Sequence, residues 1–466
     1  MKYTINHYLR LGAVGLFLST AAITASAQQI RTSYFMEQST MRISLNPAFR
    51  PDRGYVSIPV LGSVGASFGS NGVSLGDLLY PKDGKLVTFL DPSVESNSFL
   101  NKLNNNNQLN ADFSTSILSA GWYAGTGFWT VDLNLKTTMN AALPKSIFEF
   151  LKVGSTANGA TYNISDVAMH ANAYVELATG YSRPINDKLT VGGKLKLLFG
   201  GANMAATFDN LTAELYEDQW KITSSGELQM SLGGIQPEFE KDNEGKDYIN
   251  SFDVESPGLG GFGAAIDFGA TYQLFDNLVL SAAVTDLGFI SWGGSNTVTG
   301  QANGDFMYDG FELDINDDGS VPSMDDQMDD LTDDISNLFH FRETESKGRS
   351  TMLRSTINIG GEYSILDNQL GFGLLSSTKF YQPKAYTELT ASANYRPLDW
   401  FSASASYSFI HSDFKTFGLA LNFSPSWINF FIGTDYMFTK VTPQFMPINA
   451  RAVNAYFGLS IPLARK

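Results

Sequence analysis

The 466-residue chain contains no cysteine. That excludes a disulfide framework, a thiolate metal site and an N-terminal lipidated cysteine. Histidine is nearly as scarce: beyond residue 27 only His170, His340 and His411 remain. No Gly-x-Ser-x-Gly, His-Glu-x-x-His or phosphate-cradling glycine loop occurs. His411-Ser412-Asp413 has the residue types of a triad, but contiguity is not triad geometry. An enzyme is not expected. Positive charge is also short, with 31 Lys and Arg against 47 Asp and Glu and a formal charge of −16. Nucleic acid, which needs a basic stripe, is therefore an unsuitable partner. Past the N-terminus no run of 18 apolar residues occurs, so no transmembrane helix is expected. A chain that crosses a membrane without one must close into a barrel, because lipid cannot satisfy open backbone edges.

What the chain does hold is aromatic residues, glycine and a period of two. There are 34 Phe, 20 Tyr and 43 Gly. In Trp400–His411, Phe401, Ala403, Ala405, Tyr407 and Phe409 share one face, and Ser402, Ser404, Ser406 and Ser408 share the other. Segments of about ten residues with this alternation are the mark of a transmembrane barrel. Short bends with turn chemistry (124–127, 184–187, 275–277, 366–368, 397–399 and 424–426) alternate with mostly longer connections. Placing the short bends in the periplasm and the long ones outside gives an all-β, antiparallel up-and-down barrel. Its strands lie near 55–70, 111–123, 128–140, 167–183, 188–199, 262–274, 278–290, 353–365, 369–380, 385–396, 400–411, 414–423, 427–438 and 450–463. Residues 207–232 also read as strand, and counting them in the wall would give two more. An extracellular hairpin there keeps the count at fourteen and both termini in the periplasm.

Lys2 and Arg10, the apolar stretch Leu11–Thr24 and Ala25-Ser26-Ala27 read as a cleaved signal peptide over residues 1–27. The expected order is then a segment 28–54, either a periplasmic lead-in or a lumenal hatch, and a barrel over 55–466. The barrel carries an acidic external insert at 291–350. Alternation assigns Asp132, Lys136, Glu176, Lys194, Lys196, Asp267, Glu362, Lys379, Glu388 and Asp435 to the lumen. Charges of both signs suit a bracing network of ion pairs, and a selectivity ring is the other reading.

Asn46-Pro47-Ala48, ahead of the first strand, and the segment Asn186–Gly200 resemble FadL-type outer-membrane transporters of long-chain fatty acids and aromatic hydrocarbons. That resemblance implies a fourteen-strand barrel with an N-terminal hatch. Arg53–Gly62, Ser74–Tyr80 and Thr285–Trp292 look like an uncharacterised outer-membrane family that carries only a domain-of-unknown-function label. The acidic insert is a departure from the FadL pattern, so the ligand does not carry over with the fold.

In the insert, Asp314, Asn316, Asp318, Ser320 and Asp325 stand at positions 1, 3, 5, 7 and 12 of an EF-hand-like loop, with Gly319 at 6. A hard cation needs such an oxygen shell, so a structural Ca²⁺ in an external loop is one reading; a solvated turn is the other. Met324, Met328, Leu331, Ile335 and Leu338 follow at helical spacing. A second short helix is expected over 144–152, with Pro144 first and Ile147, Phe148 and Leu151 on one side. The functional expectation is passive passage of a small hydrophobic ligand through the outer membrane. The alternative is a non-transporting barrel that docks a periplasmic or surface protein. Both have outer-membrane lipid as the surrounding partner.

Overall fold

A computed structural model describes residues 30–71, 74–82, 85–153, 159–216, 219–242, 245–308, 340–380, 385–410, 414–437 and 451–463. The signal-peptide stretch and the EF-hand-like loop lie outside the described residues.

Fourteen strands make the wall. In chain order β1 is Tyr55–Ser57 with Val64–Ser70, β2 Asn106–Ala124, β3 Gly127–Pro144, β4 Val167–Pro184 and β5 Leu189–Leu215. Then come β6 Gly261–Phe275, β7 Leu278–Trp292, β8 Arg349–Met352 with Thr356–Ile365, β9 Leu370–Phe380 and β10 Ala385–Leu398. β11 is Phe401–Ile410, β12 Phe414–Phe423, β13 Asn429–Thr434 and β14 Ala452–Pro462. Each strand pairs antiparallel with the next, and β14 closes the ring on β1 through Val56↔Ile461 and Ala66↔Ala455. Closure leaves no open wall edge, as a bilayer requires.

The alternation sorts the faces. Ser402, Ser404, Ser406 and Ser408 are buried inside, while Phe409 is exposed outside. Leu195 is 65% exposed between the buried Lys194 and Lys196. Aromatic side chains gather toward both ends of the outer face. Trp122, Trp129, Tyr272, Tyr363, Tyr395, Trp400 and Trp427 lie by the short turns, and Phe262, Phe289, Phe380, Phe409 and Phe417 lie toward the long loops. Along β11, the step from Trp400 to Phe409 rises about 23 Å on the barrel axis at a ~40° tilt, close to the apolar band of a bilayer barrel. No helix among the described residues is long and apolar enough to cross a membrane.

The second half of β5 stays paired with β4 as far as Val167↔Phe208 but changes partner on its other edge. Beyond Gly200 and Gly261 it pairs instead with Trp220–Lys241, through Leu215↔Trp220 to Ala202↔Leu232. Thr297–Tyr308 adds to the other edge of that strand, and Asp247–Gly258 to its distal half. The expected hairpin thus stands outside the closed ring, and the first part of the acidic insert completes its sheet. Tyr162, Ile164, Leu211, Leu215, Ile222 and Phe306 form a core on one side of it.

Between β1 and β2 a cap folds from helices Leu75–Leu78 and Ser96–Leu100 and the hairpin Leu79–Lys82/Lys85–Thr88. It packs on helix Lys145–Val153: Phe89 stacks on Phe99 at 4.5 Å between centroids, and Phe148 meets both edge-on. That helix was expected from Ile147, Phe148 and Leu151. Phe148 is buried, but Leu151 is 51% exposed and Phe150 packs inward instead. The face that turns inward is set by the cap and the extension sheet together, which periodicity alone does not register.

Candidate functional site: a plugged lumen with two cavities

Residues 35–54 run inside the barrel at its short-turn half, and residues 30–32 reach up to Glu388 and Asp435, near the long-loop ends of β10 and β13. The segment's own backbone has few partners, since only two short 3-10 turns form, Arg31–Ser33 and Thr40–Ser44. The wall supplies the rest. Asp435 accepts from the backbone N of Arg31 and Thr32 at 3.1 and 2.9 Å. Arg396 donates to the carbonyl of Phe35 at 2.9 Å, Asn358 to that of Leu45 at 3.0 Å and Asn429 to that of Gln38 at 3.0 Å. Buried backbone polar groups need such partners, so the polar inner face serves the segment as its solvent.

Asn46-Pro47-Ala48 sits at the tightest contact. Asn46 Nδ2 donates to the carbonyls of Ala270 and Ala282 at 3.4 Å each, and Asn46 Oδ1 accepts from Ala48 N at 2.9 Å. The wall makes room with glycine. A Cβ on Gly192 would lie 2.2 Å from the Pro47 carbonyl oxygen, and one on Gly269 2.0 Å from Asn46 Oδ1. Gly373 beneath Phe35, Gly418 beneath Thr32 and Gly433 beneath Ile30 repeat the arrangement.

The inward charges form three groups. In the first, Lys194 pairs with Asp132 at 2.7 Å. Lys196 reaches Asp267 and Asp286 at 2.7 Å each and Glu176 at 3.7 Å. Lys136 holds the same Glu176 at 2.8 Å and Asp286 at 3.2 Å. In the second, Glu388 binds Arg31 of the plug and, at 3.5 Å, Lys379; Asp435 lies 3.7 Å from Arg31. In the third, Arg396 pairs with Glu362 at 3.1 Å. The lumenal residues assigned by alternation are thus brought together in three places, with Lys136, Lys194 and Lys196 in one and the remaining residues around the plug in the other two.

Several charged residues in and beside these groups escape the alternation. Asp286 lies at a bulge where Asp267 of β6 faces both Thr285 and Asp286 of β7. Its φ is 58°, and the inward register changes there, from Ser281, Ala283 and Thr285 to Ile290 and Trp292. A period-two rule carried through a bulge puts every later residue on the wrong face. Arg31 belongs to a segment with no strand period at all. Asp112 and its partner Arg354, 2.7 Å apart, stand near the long-loop ends of their strands.

Two cavities open among the described residues. The upper one, about 210 Å³, is bordered by Tyr174 and Leu353, and by Lys136, His170, Asp286, Arg354 and Lys379. The lower one, about 120 Å³, lies above the plug among Ser57, Ser63, Ser116, Asp132, Lys194 and Lys196. The lower cavity also touches Gly62, inside the interruption that splits β1 at residues 58–63. There Val60 has φ 67°, and Val60 and Leu61 are exposed on the outer face. Of the histidines, His170 borders the upper cavity, His340 stacks on Tyr248 at 3.6 Å in the extension, and His411 lies outside the described residues.

A closed wall with an apolar exterior, a polar interior and a segment of its own chain in the lumen defines a plugged transmembrane β-barrel. A family model described as a family of unknown function (DUF5723) matches residues 47–435, and the chain belongs to that family. Among solved structures it is similar to the toluene transporter TodX of P. putida. The two are 10% identical, 92% of this chain and 95% of that one are covered, and the TM-score is 0.42. A FadL homologue of Pseudomonas aeruginosa is likewise similar, at 10% identity, 91% and 94% coverage and a TM-score of 0.37. So is the translocator domain of the autotransporter NalP from Neisseria meningitidis, at 8% identity, 88% coverage of each chain and a TM-score of 0.31. No curated protein matches.

Proposed function

We propose that the protein is an outer-membrane barrel for passive passage of a small, mainly hydrophobic ligand that carries a polar group. The observation behind this is the pair of cavities. The upper one sets Tyr174 and Leu353 beside Lys136, Arg354 and Lys379, which suits an apolar body with one polar end. The lower one leads toward the interruption of β1, where Val60 and Leu61 face the bilayer. The plug fills the short-turn end and rises at residues 30–32 toward Glu388 and Asp435, which favours a sideways exit over an axial one. Uptake of radiolabelled hydrophobic probes and of sugars into proteoliposomes tests the reading. Flux of a hydrophobic probe above empty liposomes supports it. No flux of any probe, with a protein that co-purifies in fixed ratio, refutes it and favours the docking barrel.

For the acidic insert we propose a structural Ca²⁺ held by Asp314, Asn316, Asp318, Ser320 and Asp325, the oxygen pattern of a half EF-hand whose position 12 is Asp in place of Glu. Calcium should then slow proteolysis near Asp314, and an unchanged digest with and without chelator would remove the idea.

A further inference from the structure

We propose that the Lys136 side chain is the movable partition between the two lumenal cavities, and so controls passage from one to the other. The inference rests on the passage reading above and names the residue that would regulate it. Two residues border both cavities, Lys136 and Ser114. They are direct cross-strand partners on β2 and β3. Ser114 is small, so the Lys136 side chain is the larger part of what separates the spaces at this point. Its ammonium reaches away from β3, to Glu176 on β4 and to Asp286 on the bulge of β7.

The ion pairs show which lysine can move. Both acids that hold Lys136 are also held by Lys196. Withdrawing Lys136 therefore leaves neither carboxylate bare, whereas withdrawing Lys196 would leave Asp267 without its ammonium partner. Exposure agrees: the Lys136 side chain is 19% exposed and that of Lys196 4%. Leaving a buried carboxylate unpaired is the expensive event, and the arrangement spares it when Lys136 moves but not when Lys196 does.

A second resting place is at hand. Lys136 pairs across the wall with Tyr174, and Thr138, two residues further up the same strand, pairs with Asn172. Two residues of strand are about 7 Å, roughly the reach of an extended lysine. The buried Oδ1 of Asn172, which borders the upper cavity, accepts no hydrogen bond among the described residues. Lys136 swung toward the upper cavity would donate to it, and the gap over Ser114 would open. A ligand with an anionic or carbonyl end would draw the ammonium the same way.

The absence of native cysteine makes the test clean. Ser116 borders the lower cavity and is buried, so Ser116→Cys reports on access to it. The full chain, in proteoliposomes with the long-loop end outward, is exposed to a small water-soluble methanethiosulfonate, and arabinose-driven swelling is followed in parallel. Lys136→Ala and Lys136→Met should speed labelling of the reporter about tenfold, the factor for one lost charge-assisted bond. Lys136→Arg, which keeps both charge and length, should stay near wild type. Lys136→Met retains the aliphatic stem, and semi-native electrophoresis certifies its folded barrel should the alanine variant fail to fold. Equal labelling in wild type and Lys136→Met overturns the partition, even where hydrophobic-probe flux upholds the passage reading. Faster labelling without flux of any solute supports the partition and refutes passage.

Discussion

Gly192 and Gly193 are neighbours on β5 whose missing side chains point to opposite faces, and alanine at each should give opposite results. A methyl group on Gly192 would sit 2.2 Å from the carbonyl oxygen of Pro47, 2.5 Å from its carbon and 2.7 Å from Ala48 N. All three are backbone atoms, so no rotamer change relieves the clash, and the plug must move back by about 1 Å to reach ordinary contact. Overpacking of this kind costs about 1–3 kcal/mol. The shift also stretches the two Asn46 Nδ2 bonds, already at 3.4 Å, each worth at most about 0.5–1 kcal/mol. The sum is about 1–5 kcal/mol against the docked plug, a rise of at least about fivefold in the undocked population. On Gly193 the nearest atom to a new Cβ is the Asp267 carbonyl oxygen at 3.4 Å, an ordinary contact. The assay is thiol labelling of Ser33→Cys, a fully buried plug position in a chain without other cysteines. Labelling should accelerate with Gly192→Ala and stay unchanged with Gly193→Ala. Equal rates in the two would refute the glycine cradle as the seat of the plug.

Lys196→Met should be far more damaging than Lys136→Met. It strips an ammonium from Asp267, Asp286 and Glu176 at once and should cost about 3–5 kcal/mol. The temperature at which the folded band collapses in semi-native electrophoresis reads this, and an unchanged temperature would contradict the network. Leu195→Arg tests the lipid-facing assignment of the outer surface: at the membrane midplane it should cost about 2–4 kcal/mol of folding free energy, against about 0.5 kcal/mol or less at a watery surface. Folding into bilayers at graded urea separates the two. In the cap, burial works to raise the Asp77 carboxyl, but bonds from Lys102 and from Ser74 side chain and backbone hold it below its ordinary value. A lowered carboxylate stabilises above the unfolded value of about 3.9 and loses that contribution as pH falls through the folded one. Protease resistance of residues 74–103 should therefore hold from pH 7 to about pH 4 and fall below it, and Asp77→Asn should weaken the dependence, leaving the part that Asp91 supplies through Ser93 and Lys82.

Most of the wall is legible in the sequence. The serine face of β11, the short turns and the lack of any apolar run long enough for a helix together lead to fourteen strands, because alternation and turn chemistry are local properties. The same rule places Asp132, Lys194 and Lys196 on the inner face before any coordinates are known. It fails at Asp286, where one extra residue in β7 shifts the register. It is silent on Arg31, whose segment borrows its hydrogen bonds from distant strands. It also misjudges Leu151, since a helix with two neighbours turns toward whichever buries more.

By itself, then, the chain determined a barrel: period two, parity of connections and an inner set of charges follow from residues a few positions apart. Only the tertiary structure decided what fills that barrel. The docking of Asn46-Pro47-Ala48 on Gly192 and Gly269, the sharing of Glu176 and Asp286 between Lys136 and Lys196, and the two cavities divided at Lys136 join residues up to hundreds of positions apart. Such contacts depend on strand stagger and on one bulge, and no local pattern encodes them.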